Sequence, residues 1–441
     1  MISDKINIFW FRRDLRLDDN AGLYHALNSG LPVLPVFIFD RNILDRLDTI
    51  KDPRVEFIYN SLDEINKKLT RYNSSLAVFC GKPDEIFPAI IKQYQVNAVF
   101  ANKDYEPYAR ERDTKISSML TSYGIKFELF KDQVIFEEDE VLKQDGKPYT
   151  VFTPYSVSWK RKFKLTNIEN YTSEKLICNF LRCNYKFPEL GELGFKRSGL
   201  TFPSKEIKKN IISKYHIHRD YPFIENGTTR LGIHLRFGTL SIRKLVQLAA
   251  KLNETFLNEL IWREFFMMIL WHFPHTTERS FKQEYDLIRW RNNEKEFFAW
   301  CNGLTGYPLV DAGMRELNNT GHMHNRVRMI TASFLSKHLL IDWRWGERYF
   351  ASRLLDFELS SNVGNWQWAA GSGCDAAPYF RIFNPAVQTK KFDPEFKYIK
   401  KWVPEFNDKN YPQQIVEHNF ARNRAITEYS RALKNNRKGY L

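Results

Sequence analysis

The sequence predicts an α/β domain, a parallel sheet flanked by helices, followed by a mostly α-helical domain. Three observations carry that reading. Over residues 1–130 short apolar runs alternate with amphipathic stretches, the pattern of strands and helices in turn. From about residue 206 onward apolar residues recur at three- and four-residue spacing almost throughout. The charge divides at the same place: residues 1–130 hold 18 Lys and Arg against 18 Asp and Glu, so the whole excess of +14 in this 441-residue chain falls on the remainder.

The elements follow in order. INIFWF, PVLPVFIF, SLAVFC and NAVFAN read as buried strands, and VEFIYNSLDEINKKLTRY between two of them as an amphipathic helix. After the first strand the chain reads FRRDLRLDDN, with no G-x-G-x-x-G, so an NAD-type dinucleotide fingerprint is absent. Residues 131–205 lose the regularity, with turn signals in QDGKPY and GELGFKRSG, and read as a connecting segment. Beyond it LSIRKLVQLAAKL, TFLNELIWREFFMMILWHF, PLVDAGMRELNNTG, VRMITASFLSKHLLI and GERYFASRLLDFEL are helical, giving a second domain over 206–441. The basic tail RNRAITEYSRALKNNRKGYL is expected to fray.

A neutral domain joined to a basic one implies a polyanion partner, nucleic acid before anionic membrane. No long uncharged apolar run or signal-peptide pattern is present, which predicts a cytoplasmic protein with no membrane association. Cys80, Cys178, Cys183, Cys301 and Cys374 form no C-x-x-C or His/Cys cluster, so no metal site is expected and the thiols are read as reduced. Nine of the eleven tryptophans crowd into residues 262–402, either as core filling or as π-surfaces for stacking and electron passage.

Four stretches are more specific: WFRRDLRLDDN (10–20), NELIWREFF (258–266), TGYPLVDAGMRELNNTGHMHNRVRMITASFL (305–335) and SSNVGNWQWAAGSGCDAAPYFRIFNP (360–385). On these the chain resembles the photolyase/cryptochrome family, and within it the class I cyclobutane pyrimidine dimer photolyases most closely. The resemblance implies an antenna-type α/β domain (1–130), a connector (131–205) and a helical FAD-binding catalytic domain (206–441). It further implies light-driven repair of ultraviolet-damaged DNA by electron transfer from reduced FAD to a flipped-out dimer. A monomer is expected. NKDYEPYARERD (102–113) resembles part of the family's site for a second, antenna chromophore, whether folate, deazaflavin or flavin.

By the same resemblance the FAD phosphates fall to Tyr215, Thr228, Thr229, Arg230, Leu231 and Gly232, with Arg263 approaching them; Gly232 stands where the family usually has serine. Arg328 and Asp356 are implied as a salt-bridged pair beside the isoalloxazine ring, and Asn362 as its neighbour at flavin N5. Glu358 stands where a second aspartate is usual. Read from its own helix, Arg263 has Glu259 and Glu264 as rival partners, and Asn362 reads equally as a capping or turn residue. Trp366, Trp343 and Trp290 match the family's electron-transfer chain, in that order from the flavin outward.

Glu259, Trp262, Asn325, Met329 and Trp368 match the lining of the dimer pocket, and Arg219, Arg326 and Arg381 the arginines at its mouth. Asn325 and Met329 occupy positions where (6-4) photolyases carry histidines, which argues against (6-4) chemistry. SNVGNWQ resembles the DASH-type cryptochromes, but that group commonly has tyrosine at the position of Trp368 and glutamine at that of Met329. A non-repairing light sensor usually carries a long C-terminal extension, whereas this chain stops about 56 residues after its last strong motif. A nucleic-acid-binding module without catalysis is the family-independent rival.

Overall fold

The computed structural model of the chain describes residues 5–437. They form two compact units that the sequence interleaves. One takes the chain through Glu140 together with Lys162–Glu206 and Arg230–Leu248; the other takes Val141–Arg161, Ile207–Thr229 and the chain from Ala249 onward. The stretch read as a connector is thus divided between the units, and residues 230–248, read as the start of the helical domain, cluster with the sheet.

The first unit is built on a fully parallel sheet of five strands, β1 (Ile6–Phe11), β2 (Val33–Asp40), β3 (Ala77–Gly81), β4 (Val96–Asn102) and β5 (Lys126–Phe130), in the order β3-β2-β1-β4-β5. β1 and β2 are buried along their whole length, as expected of apolar runs covered on both faces. Three crossover helices, Pro53–Leu69, Pro83–Gln93 and Pro107–Ser122, begin with proline, whose fixed φ and missing N–H suit a first helical turn.

The charged run after β1 is knitted into this unit. Arg12 forks onto Asp113 at 2.5 and 2.6 Å, and Arg13 reaches Asp104 and Glu106. Arg16 and Arg243 share Asp132, and Arg243 also meets Asp19, all four side chains being nearly inaccessible. Buried charges of this kind require partners, and Arg243 ties the 230–248 segment to the sheet.

The second unit is helical. Its principal helices are Glu254–His272, Pro308–Thr320, Asn325–Ser333, Trp343–Arg353, Leu359–Ala370 and His418–Arg437, with a π-helical turn at Phe334–His338. Two glycines set how closely helices cross. A Cβ on Gly364 would collide with the Phe266 ring, and one on Gly346 with the ring of Trp366. The basic tail expected to fray is instead helical to Arg437, because Ala421, Ala425, Tyr429 and Ala432 recur at helical spacing and are buried; its last four residues lie outside the described residues. All five cysteines are free thiols. Among the described residues, no helix is long and apolar enough to cross a membrane.

Candidate functional site

The site grows from four helices of the second unit. Asn253 caps the Glu254–His272 helix by accepting from the Phe256 N–H, and on that helix Glu259, Trp262 and Arg263 fall at three- and four-residue spacing on one face. Glu259 accepts from Arg219 Nη1 at 2.5 Å. Burial raises its carboxyl pKa, and the Arg219 guanidinium opposes the shift without cancelling it. Arg263 reaches a glutamate beyond its own helix. It meets Glu358, Nε to Oε2 at 3.0 Å and Nη2 to Oε1 at 3.1 Å. The longer Glu358 side chain therefore serves as the partner of Arg263 at the position where the family's aspartate is expected.

A cavity of about 560 Å³ opens between the Asn325–Ser333, Trp343–Arg353 and Leu359–Ala370 helices. It is lined by Asn325, Arg328, Met329, Asp356, Glu358, Asn362, Trp366 and Trp368, with Ala332, Phe350, Leu354 and Phe357 among the apolar remainder. The structure thus brings together eight residues singled out from sequence.

Arg328 Nη2 sits 2.9 and 3.1 Å from the two Asp356 oxygens, and its Nε donates to the Met323 carbonyl at 2.7 Å. Burial alone would raise the Asp356 pKa; Arg328 outweighs it, and the carboxyl is held below its ordinary value. The helix carrying Arg328 starts on a histidine cap, with His324 Nδ1 accepting from the Arg326 N–H. Burial pushes His324 down to about 4, so the ring is neutral and keeps the lone pair this bond needs.

Asn362 is neither a cap nor a turn. It lies inside the Leu359–Ala370 helix, buried, and its Nδ2 donates to the Glu347 carbonyl at 3.1 Å and to Glu347 Oε1 at 2.8 Å. Those bonds fix which end of the amide is the nitrogen. Burial raises the Glu347 carboxyl, and the Asn362 bond lowers it only in part.

Trp366 and Trp343 are almost wholly buried, while Trp290 is partly exposed and packs against the same core cluster. Burial thus falls from Trp366 and Trp343 outward to Trp290. The indole N–H of Trp366 and that of Trp343 are buried without an acceptor. Trp366 packs edge-on against Phe350 and Trp300, at 5.0 and 6.1 Å between ring centres.

Other candidates stand apart from the cavity. Trp262 does not line it; its half-buried ring lies flat on Phe152, 3.7 Å between centres and 6° between planes, with Phe266 at 5.3 Å. Arg326 stacks over Phe392 at 4.4 Å and meets Asp220 at 2.5 Å. Arg381 is exposed, and its carbonyl accepts from the buried Lys337 at 2.9 Å. Tyr215 packs edge-on to Phe256 and under Arg219. Thr228 and Thr229 end a segment of this unit, whereas Arg230, Leu231 and Gly232 open a segment of the sheet unit, Arg230 with φ +53° and Gly232 starting a short helix.

Sequence reasoning missed the partners: Glu347, Asp220, Phe152 and His324. Nothing local marks the first three, whose significance comes from contacts across long sequence separations. His324 had a signal, since it directly precedes the helix that it caps.

The sheet unit carries a second cavity of about 640 Å³, lined by Asn42, Arg46, Pro83, Asp84, Tyr108, Glu111, Arg112, Lys115 and Ile116. It lies by the C-terminal ends of β2 and β3, where open parallel sheets take their ligands. Tyr108 donates to Asp40 at 2.5 Å, and burial together with that carboxylate pushes its phenol up to about 12. The guanidinium of Arg112 stands 4.8 Å from the Trp10 ring centre.

Comparison with known proteins places these features in a family. Residues 7–173 match the family model "DNA photolyase", and residues 256–409 match "FAD binding domain of DNA photolyase". The deoxyribodipyrimidine photo-lyase of Alkalihalophilus pseudofirmus is 35% identical, over 96% of this chain and 98% of that protein. This chain belongs to the DNA photolyase family. Among solved structures of photolyases, a bacterial class III enzyme from Agrobacterium tumefaciens superposes with TM-score 0.84 at 30% identity, covering 98% of this chain and 99% of that one. An archaeal photolyase from Sulfolobus tokodaii, solved with two FAD molecules, superposes with TM-score 0.80 at 35% identity, covering 96% and 99%.

The matched FAD-binding domain contains the whole 560 Å³ cavity. The residues fit the cofactor of this photolyase domain. Trp366, Phe350 and Phe357 give apolar walls for a flat heteroaromatic ring, and the Arg328–Asp356 pair and the Asn362 amide give it a polar edge.

Proposed function

We propose that this photolyase repairs cyclobutane pyrimidine dimers in DNA, and that the dimer and the flavin ring meet in the 560 Å³ cavity. The observation carrying this reading is the convergence there of Arg328, Asp356 and Asn362 with Asn325, Met329 and Trp368. When bound, FAD supplies the electron that light drives into the dimer and that returns after the ring splits.

The chain's own residues do the rest. The Arg328–Asp356 pair sets the polar edge against which the cofactor is oriented, with Asp356 held ionised by the cation. Asn362, its nitrogen committed to Glu347, keeps its carbonyl oxygen as the acceptor it would offer the ring, and would add no charge there. Trp366, Trp343 and Trp290 are assigned as the relay that reloads the cofactor. Arg263 and Tyr215 are assigned to the phosphates, with Thr228 and Thr229.

A damaged dinucleotide leaves the stack more readily than an intact one. Trp368 then offers it a flat wall inside the cavity, and Trp262 a second one on the same helix face as Glu259. Glu259, with its raised pKa, is placed to hydrogen-bond the base edges. Arg219, Arg326 and Arg381 hold backbone phosphates without reading sequence. The absence of histidine at Asn325 and Met329 favours cyclobutane dimers over (6-4) products. For the sheet unit we assign an antenna chromophore to the 640 Å³ cavity, where Arg46 and Arg112 offer donors and Lys115 is already paired with Asp84.

Illumination of the reduced protein with matched oligonucleotides, one carrying a cyclobutane dimer and one a (6-4) product, tests the reading. Restoration of the first alone is expected. Repair of neither, by a protein that holds FAD, would leave the light-sensor alternative.

A further inference from the structure

Four side chains form an alternating chain of charge beside the base-reading helix: Glu259, Arg219, Asp220 and Arg326. Arg219 Nη1 is 2.5 Å from Glu259, Arg219 Nε is 4.0 Å from Asp220 Oδ1, and Arg326 Nη2 is 2.5 Å from that same Asp220 oxygen. The two arginines are largely covered, at 25% and 19% exposure, whereas Asp220 is the most open of the four at 40%.

The Arg326 guanidinium is also held flat over Phe392, its Nη1 is 4.0 Å from Met329 Sδ, and its Nε is buried with no partner. Among the described residues, Asp220 is therefore the one carboxylate that this fork engages. Its oxygen meets the guanidinium through the same kind of charge-assisted bond that a phosphate oxygen forms. One oxygen of Asp220 thus faces two arginines, and one of those arginines is neutralised by the carboxylate assigned to the bases.

We propose that Asp220 is a specificity-determining residue, which couples engagement of Glu259 by a flipped dimer to the release of Arg326 for a DNA phosphate. The inference rests on the functional reading above. With undamaged duplex Glu259 stays on Arg219, Asp220 stays on Arg326, and the cluster presents no net charge to the backbone. When a dimer draws Glu259 to its base edges, Arg219 loses its counter-ion. Asp220, already within 4.0 Å, takes that place, and Arg326 becomes free to bind phosphate. An ion pair whose carboxylate stands open to water is weak enough for such an exchange, and a ligand shifts an equilibrium only by what it contributes differently to the two states. Here that difference is the contact with Glu259.

The test is Asp220→Asn, which keeps size and hydrogen bonding but removes the competing charge. Affinity is measured for a dimer-containing oligonucleotide and its undamaged match across a salt series, after flavin absorbance has confirmed an intact holoprotein. Undamaged DNA should bind roughly 3- to 10-fold more tightly at low salt, as expected for deleting one charge a few ångströms from a phosphate. Its log–log salt slope should steepen by about one unit. Affinity for the dimer should change less than about twofold, so discrimination falls.

Unchanged affinity for undamaged DNA, or equal change for both DNAs, overturns the coupling. Arg326→Gln separates the two levels of failure. If it weakens dimer binding while Asp220→Asn shifts both DNAs equally, only the coupling is wrong; if it leaves dimer binding intact, the phosphate role of Arg326 falls, and the coupling with it.

Discussion

Replacing Gly346 with alanine should separate stability from electron supply, because this glycine is where the Trp343–Arg353 helix admits the ring of Trp366. A Cβ built there stands 2.5 Å from Trp366 Cζ3 and from Leu335 Cδ2, and nearer still to Trp366 Cη2. Ordinary carbon contacts lie at about 3.5–4.0 Å, so the indole must retreat by about 1 Å or more. Overpacking of this kind costs roughly 1–3 kcal/mol. Alanine returns about 1 kcal/mol of helix propensity over glycine. The net loss is then about 0–2 kcal/mol, small enough for the protein to fold while Trp366 is displaced from the cavity wall. Photoreduction of oxidised flavin under blue light, beside urea unfolding of the same preparation, should show a slowed reaction with at most a modest fall in midpoint. Gly313→Ala, which crowds Val327 and Thr331 instead, is the control for overpacking away from the indole. Photoreduction at the wild-type rate in Gly346→Ala, or an equal slowing in the control, would refute the reasoning.

Trp366→Phe should slow photoreduction yet leave repair by chemically pre-reduced protein largely intact, a split read by comparing the two rates. Trp368→Ala should remove roughly 1–3 kcal/mol of preference for dimer-containing over undamaged DNA without a change in unfolding midpoint. Trp262→Ala should lower the urea midpoint as well, since it also strips the stacked partner from Phe152. Lys337 is buried, and burial pushes its amine down to about 7. The folded protein then binds fewer protons than the unfolded chain between pH 7 and the ordinary lysine range, and stability should rise with pH across that window. Lys337→Met should flatten that slope by one proton's worth in urea titrations at successive pH values; an unaltered slope would show the amine to be charged in the folded state.

Much of the architecture could be read because the apolar runs were long and one-sided. INIFWF coincides with β1, and the other three predicted runs each contain all but one residue of β2, β3 and β4. The fifth strand was missed because KFELF is a short edge strand, half-buried and interrupted by charge, so neither a continuous nor a cleanly alternating pattern survives. Six of the eight site residues that converge on one cavity sit in long motifs on two packed helices, and Asp356 and Glu358 lie in the short turn that leads into one of them. Trp262 shows the limit: its place in the motif was plain, but its stacking on Phe152 arises from a segment more than a hundred positions away. Arg263 shows another, since helical spacing offered two glutamates and gave no sign of its tertiary contact with Glu358.

The interleaving of the two units bears on how the polypeptide is made. Strand β5 ends at Phe130, yet Arg243, which shares the buried Asp132 with Arg16, arrives only with the Arg230–Leu248 segment. At synthesis rates of about 5–20 residues per second, the sheet unit waits on the order of ten seconds after its last strand for the cation that completes its innermost charge cluster. A ribosome paused in that interval would hold an unfinished α/β layer with Asp132 short of a partner. Expression of the first 140 residues alone would reproduce the same state permanently, so this fold resists being cut into freestanding halves at any single peptide bond.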